Sequence, residues 1–328
     1  MPMRLKFVDS DDLDITRRKL AHGWAYYAAD GVRITDRDEI DRLNRIALPP
    51  AYTDARFSSF ANGHLQAIGV DTRGRRQYRY HPDYRAHRDG AKFDNVIAFG
   101  QALPAIRKQV QADLDGKACD CATILAAIVR IMDSAHIRVG NEKYARTNKS
   151  FGATTLRSRH ARAGREKVQL QYRGKSGIER QVVLSDRSLA RVVRRCQDLP
   201  GQSLFQYVDD GGSRCRVGSS EVNDYIRAIS GGDFTAKDFR TWGGSAIGYG
   251  AVAGGMGLTA MLETVSSALG NTPAIARKAY VHPAIVDLAK DRPADTLPLS
   301  LPMPRKTQWL APHERGLIEY LSNGRGSA

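Results

Sequence analysis

Cysteine is scarce in this chain. Four occur among 328 residues, at Cys119, Cys121, Cys196 and Cys215, with no Cys-x-x-Cys pair and no histidine cluster beside them. That scarcity argues against a disulfide framework and a structural zinc site, and it fits a reducing compartment. The opening Met-Pro-Met-Arg has no apolar stretch of the kind a secretory signal needs, so a cytoplasmic chain is expected. No long hydrophobic run exists either. Ser245 to Leu262 is the longest weakly polar stretch, but it carries five glycines and ends at Glu263, which reads as a glycine-rich helix or loop of a soluble fold, not a membrane span. Internal repeats and low-complexity segments are also lacking. Two nucleotide-binding fingerprints are incomplete. Gly174-Lys175-Ser176 ends like a P-loop, but Gln169 stands where the first glycine is required. Gly248 to Gly254 has one residue too many for a dinucleotide turn. No nucleotide, metal or other cofactor and no membrane partner is expected.

What the chain has in excess is positive charge. Fifty Lys and Arg against 35 Asp and Glu give a net charge of +15, and 42% hydrophobic residues place it among ordinary globular proteins. A surplus of that size favours polyanions, because neutralising phosphates releases condensed counterions. Anionic lipid, or a merely soluble basic protein, is the alternative on charge alone. The length favours two domains.

The hydrophobic period changes along the chain. Leu5–Val8, Gly31–Thr35, Arg56–Phe60, His64–Val70 and Arg75–His81 read as strands, with turns at Asn62-Gly63 and Asp71–Gly74. Asp38–Ile46 reads as a helix that stops before Pro49-Pro50. From about Phe93 helical spacing dominates: Ile97 to Val110 with a kink or break expected at Pro104, then segments around Leu125–Met132, Leu189–Val193 and Val222–Ile229, the last capped by Ser219 or Ser220. Lys167–Arg173 alternates strictly, meets Gly174–Gly177 and resumes as Ile178–Leu184, a β-hairpin with Lys175 at its tip. The expected fold class is α+β. A small antiparallel β-sheet domain over 1–87 is followed, after a polar linker at Ala86–Lys92, by a larger, mainly α-helical domain over 93–328. That domain carries the hairpin and a proline-rich extended tail from about 290, with a short helix near Glu314–Ser322.

Arg138, Lys175, Arg240 and Tyr280 occur in an order that suits attack on a phosphodiester. Such a reaction needs a nucleophile, cations for the equatorial oxygens and a proton for the departing alkoxide. Tyrosine is a weak nucleophile at neutral pH because its phenol ionises near about 10. Neighbouring guanidiniums favour the phenolate and grip non-bridging oxygens in pairs. Arg138 and Arg240 can form that clamp, and Lys175 can protonate the leaving 5′ oxygen. Thr235 to Asp238 reads as a capping box that sets Arg240 in the first turns of a helix. Thr272-Pro273 reads as a second helix start, with Asn271 just ahead of it and Tyr280 about two turns in. Each residue alone has an ordinary reading: Arg138 as a surface ion-pair partner, Lys175 as a solvated hairpin tip, Tyr280 as a half-buried core tyrosine.

Taken together, these residues resemble the poxvirus-like, bacterial branch of the type IB DNA topoisomerases. Leu48–Asp54, His64–Ala67 and Gly74–Tyr80 resemble the family's amino-terminal domain. Ile137–Tyr144, Gly152–His160 with Gly174–Ser176, Lys237–Trp242, and Asn271–Tyr280 resemble its catalytic motifs in order. The resemblance implies that Tyr280 forms a 3′-phosphotyrosyl bond, that Arg138 and Arg240 stabilise the transition state, and that Lys175 is the general acid. Asn271 departs from the family's usual histidine: its amide can donate one hydrogen bond to a phosphate oxygen but adds no charge. His282 reads as a helix-end residue and not as a replacement. By the same resemblance, Arg75, Gln77, Tyr78, Tyr80, Lys143, Tyr144 and Lys237 contact DNA. In the strand Tyr78 and Tyr80 share one face and Gln77 and Arg79 the other, so one pair is expected to face the small core. The implied protein is a monomeric, ATP-independent enzyme that clamps double-stranded DNA and associates with the nucleoid. A tyrosine recombinase is the rival, although it usually has histidine where this chain has Lys237.

Overall fold

The structure, a computed structural model, describes residues 4–116, 119–209, 211–290 and 300–324. Two compact units divide the chain, Met1–Asp94 and Asn95–Ala328.

The first unit is a five-stranded antiparallel sheet with helices. Strands β1 (Ile15–Lys19) and β2 (Trp24–Tyr27) precede helix α1 (Arg37–Arg45). Strands β3 (Thr53–Phe57), β4 (Leu65–Val70) and β5 (Arg76–Tyr80) follow, then α2 (Pro82–Asp94). The spatial order is β2-β1-β3-β4-β5, which leaves β5 at an edge. Asp36 caps α1 by accepting the Asp38 and Glu39 amides, and Leu43 turns inward to meet Ile15, Tyr26, Leu48, Phe57 and Ala67 in the core. Three expectations need correction. Leu5–Val8 and Gly31–Thr35 contribute only isolated bridges, Lys6 to Gly63 and Tyr27 to Arg33, while β1 and β2 supply the regular pairing. In β1 the charges of Arg17, Arg18 and Lys19 hide the alternation. Arg17 nonetheless serves the core: its guanidinium lies 4.1 Å from the Trp24 ring and donates to the Leu48 and Pro49 carbonyls. The stretch expected as a linker, Ala86–Lys92, lies within α2.

The second unit is mainly helical. Helices α3 (Val96–Asp115), α4 (Cys121–Ala135) and α5 (Glu142–Asn148) lead into a three-stranded sheet, β6 (Ala161–Ala163), β7 (Lys167–Arg173) and β8 (Glu179–Ser185). Then come α6 (Arg187–Asp198), the small hairpin β9 (Gln206–Val208) and β10 (Arg214–Arg216), α7 (Ser219–Ser230), α8 (Ala236–Ala253), α9 (Leu258–Leu269), α10 (Pro273–Ala279), α11 (Pro283–Lys290) and α12 (Pro312–Gly324). Helix α3 runs through Pro104 instead of breaking there. Phe99, Leu103, Ile106 and Val110 are all buried along one face, and that packing outweighs a local penalty of about 3 kcal/mol. Gly218, not Ser219 or Ser220, caps α7. Between the units' expected features and the chain end, positions 291–299 of the proline-rich tail lie outside the described residues. The part that is described is docked. Tyr249 donates to the Pro302 carbonyl at 2.7 Å, and Glu314 of α12 is buried against Arg107 and the Trp242 indole. Arg107 also bridges to Asp133 of α4, so α3, α4 and α12 share one ion-pair network. Among the described residues no helix is long and apolar enough to cross a membrane.

Candidate active site

Helix α8 holds the centre of the site. Asp238 accepts the Thr235 amide at 2.8 Å, the capping box that the sequence predicts, and Arg240 follows in the early turns of the helix. Arg240 is buried, 3% exposed, without a carboxylate partner in its hydrogen-bond set. Its Nη1 donates to the His136 carbonyl and its Nη2 to the Leu269 carbonyl at 3.1 Å. Both acceptors sit where helices end, His136 as the left-handed cap of α4 and Leu269 as the last residue of α9. Helix C-termini carry orphan carbonyls and the negative end of the macrodipole, so they compensate the buried charge without neutralising it. The guanidinium Nε remains buried with no partner. Burial and the nearby Arg138 push the Arg240 pKa down, and Tyr280 opposes them. Arginine stays charged regardless.

Tyr280 caps α10, immediately after Ala279 and about two turns from Pro273, as the sequence reading expects. Its ring lies under Arg240, with 4.7 Å from the guanidinium carbon to the ring centroid. Burial raises the phenol pKa. The Arg240 guanidinium, then that of Arg138, outweigh it by charge and by hydrogen bonding at the hydroxyl, so the net shift is downward from the usual value. Two glycines in the middle of α8 permit this approach. A Cβ on Gly244 would lie 2.7 Å from the Tyr280 carbonyl oxygen and 2.8 Å from its Cβ, and one on Gly243 would meet the His136 ring at 2.5 Å. Ser245 completes the seat by donating to the Tyr280 carbonyl at 3.1 Å and accepting the His282 amide at 3.0 Å.

Arg138 extends from the segment after α4. Its carbonyl accepts the Ala153 amide at 2.8 Å, and Gly140 and Gly152 pass too closely there for side chains. Asn271 stands at the turn between α9 and α10. Both polar atoms of its amide are buried and lack a partner. A buried, unsatisfied amide costs about 1–3 kcal/mol, a cost that a hydrogen-bonding ligand would remove. Lys175 is exposed at the tip of the β7–β8 hairpin. The tip turns tightly, with the Gly174 amide donating to the Ile178 carbonyl at 2.7 Å and Ser176 at φ 64°. Thus Arg138, Arg240 and Tyr280 converge, Asn271 offers an unsatisfied amide, and Lys175 stands at the hairpin tip.

The residues expected to meet DNA occupy two places. Lys143 and Tyr144 on α5 and Lys237 on α8 are exposed. On β5, Tyr78 and Tyr80 turn outward, 44% and 39% exposed, with their rings stacked at 6.2 Å. Gln77 and Arg75 turn instead to Asp71, donating to its carboxylate at 2.9 and 2.8 Å. Arg75 first, with the neighbouring amides and Gln77, holds the Asp71 carboxyl down at about 2. Tyr80 is therefore a surface residue, not a core one.

Sequence reasoning misses His136, Gly244, Tyr172 and Arg180. Adjacent glycines at 243 and 244 inside a helical pattern are the signal that was present, since glycine there weakens a helix unless a neighbour approaches closely. Tyr172 pairs with Arg180 across the hairpin. Burial raises its pKa, with Arg180, Arg240 and Arg138 opposing, so this second phenol near the arginines stays protonated where that of Tyr280 is eased toward ionisation.

Comparisons with known proteins identify the family. Residues 81–252 match the family model described as eukaryotic DNA topoisomerase I, catalytic core, and residues 23–71 match bacterial DNA topoisomerase IB, N-terminal domain. DNA topoisomerase 1B of Acanthamoeba polyphaga mimivirus is 31% identical over 233 residues, 70% of this chain and 69% of that protein. DNA topoisomerase 1B of Vaccinia virus (strain Western Reserve) is 21% identical over 275 residues, covering 78% and 84%. DNA topoisomerase 1 of Rabbit fibroma virus (strain Kasza) is 22% identical over 265 residues, covering 75% and 80%. On these matches the chain belongs to the type IB DNA topoisomerase family.

Proposed function

We propose that the protein relaxes supercoiled double-stranded DNA, as a monomer and without nucleotide, by cutting one strand through Tyr280 and resealing it. The Tyr280 oxygen attacks the scissile phosphorus, the bond from phosphorus to the 5′ oxygen breaks, and a 3′-phosphotyrosyl link holds the strand. Arg138 and Arg240 bind the non-bridging oxygens as charge develops on them, and the Asn271 amide donates one further hydrogen bond. Lys175 gives its proton to the departing 5′ oxygen. Torsion then turns the freed end, and the returning 5′ hydroxyl reverses the step. The phosphotyrosine conserves the energy of the phosphodiester, so resealing requires no high-energy cofactor. Outward-facing Tyr78 and Tyr80, with Lys143, Tyr144 and Lys237, supply contacts to the duplex, and a DNA substrate puts the protein in the cytoplasm with the nucleoid.

The observation that carries this reading is the phenol of Tyr280 lying beneath a buried Arg240 with Arg138 beside it, its pKa drawn down by the pair. The test is relaxation of a negatively supercoiled plasmid in excess chelator with no nucleotide. The unaltered protein is expected to relax it, and Tyr280→Phe is expected to bind the plasmid and leave it supercoiled. Relaxation by Tyr280→Phe would refute the assignment of the nucleophile.

A further inference from the structure

The C-terminal end of α9 is gripped twice. Its last carbonyl, Leu269, accepts from Arg240, and the two before it, Ser267 and Ala268, accept from Arg180 at 3.0 and 2.8 Å. Arg180 belongs to β8 and faces Tyr172 of β7 in register. The stem of Arg180 runs beneath the hairpin tip: a Cβ on Gly174, the residue before Lys175, would lie 3.4 Å from the Arg180 Cγ. At its head, Arg180 packs against Gly270, where a Cβ would lie 2.6 Å from Nη1. Gly270 has φ +60° and immediately precedes Asn271. One side chain therefore joins the base of the lysine turn to the helix end that also holds Arg240.

A lysine at the tip of a two-stranded hairpin has little of its own to fix its ammonium in space, since such ribbons twist and bend easily. Proton transfer, by contrast, requires the donor within hydrogen-bond reach of the departing oxygen. We propose that Arg180 is a positioning residue for Lys175: by clamping the hairpin to the end of α9, it holds the ammonium in register with Arg240, Asn271 and Tyr280. This rests on the reading of Lys175 as the proton donor. Arg180 itself spends its donors on the Ser267 and Ala268 carbonyls, so its part is mechanical and not a direct contribution to charge at the phosphate.

The distinction can be measured with a duplex whose scissile 5′ bridging oxygen is replaced by sulfur. A thiol ionises near about 8.5, far below an alcohol, so a thiolate departs without a proton donor. Single-turnover cleavage would be followed on the oxygen and sulfur substrates with Arg180→Met, which keeps the stem and removes the clamp. Gly270→Ala, whose new methyl expels the Arg180 head, is the second variant, and Lys175→Ala is the control. Thermal melting and duplex binding verify that each variant is folded. Both clamp variants are expected to cleave the oxygen substrate about 10²-fold more slowly, the scale of a misplacement near 1 Å, and the sulfur substrate at the rate of the unaltered protein. Slow cleavage of both substrates by the clamp variants, with Lys175→Ala rescued by sulfur, would overturn the proposal and assign Arg180 to transition-state charge. Unimpaired cleavage of the oxygen substrate by Arg180→Met would also overturn it. Failure of sulfur to rescue Lys175→Ala would instead remove the proton-donor reading on which it rests.

Discussion

Replacing Gly244 by alanine tests whether the nucleophile is seated by close approach of two backbones. The new methyl carbon would lie 2.7 Å from the Tyr280 carbonyl oxygen and 2.8 Å from its Cβ, where ordinary contact begins at 3.4 Å. Neither neighbour is the end of a flexible side chain, so α8 and the Tyr280 turn must part by about 0.7 Å, which is the difference between those values. Overpacking of this kind costs about 1–3 kcal/mol, and the gain in helix propensity from glycine to alanine returns about 1 kcal/mol. The melting temperature should therefore fall only slightly, by about 2–4 °C for each net kcal/mol. The catalytic effect should be much larger, because a displacement approaching 1 Å in a reacting group costs about 10² in rate. Single-turnover cleavage of a labelled duplex would read the rate, and filter binding would show whether affinity is kept. Gly254→Ala is the control, since its Cβ would meet nothing closer than 3.4 Å at the end of the same helix. Full-rate cleavage by Gly244→Ala would show that the seat of Tyr280 does not depend on this approach, and the reasoning would fail.

Three further outcomes follow from the same geometry. Asn271→Leu removes a buried amide with no partner and should raise stability by about 1 kcal/mol in chemical denaturation while slowing cleavage; lower stability would show that the amide is already satisfied in the free protein. Arg138→Gln should move ionisation of Tyr280 to higher pH, because a cation that favours the phenolate is lost, and the rising limb of the cleavage profile should move with it. The check is ultraviolet difference titration against Tyr280→Phe, and a shift toward lower pH would contradict the sign. Glu314→Ala leaves Arg107 and the Trp242 indole without their shared carboxylate and should destabilise the catalytic unit by about 3–5 kcal/mol in denaturant melts, whereas a neutral change would mean that α12 is not anchored there.

Local chemistry was legible in the sequence and long-range convergence was not. Alternation from Lys167 to Arg173 marks β7, and Thr235 with Asp238 marks the start of α8, because each pattern is written within a few residues. Pro104 misleads because its helix is stabilised by a buried face, not by propensity. Strand β1 is concealed by three consecutive charges, of which Arg17 lies over the Trp24 ring and Arg18 over the Tyr27 ring of the neighbouring strand. Tyr280, Arg240 and Arg138 are recognisable as a set from their order and chemistry. Nothing local, however, indicates that the carbonyl ends of α4 and α9 hold Arg240, or that Arg180 takes the adjoining carbonyls. Those partners lie far away in the chain and are backbone atoms, which residue types do not encode. Docking of the chain end is hidden because the partner of Glu314, Arg107, lies 207 residues away in the chain.

The most direct measurement is the position of the covalent bond. The protein would be mixed with duplex DNA, quenched in denaturing detergent, digested with protease and nuclease, and the modified peptide sequenced by mass spectrometry. A nucleotide joined through its 3′ phosphate to the phenol of Tyr280 is the expected result. A bond to Tyr172 or any other residue, or no bond while strands are being cut, would contradict the account.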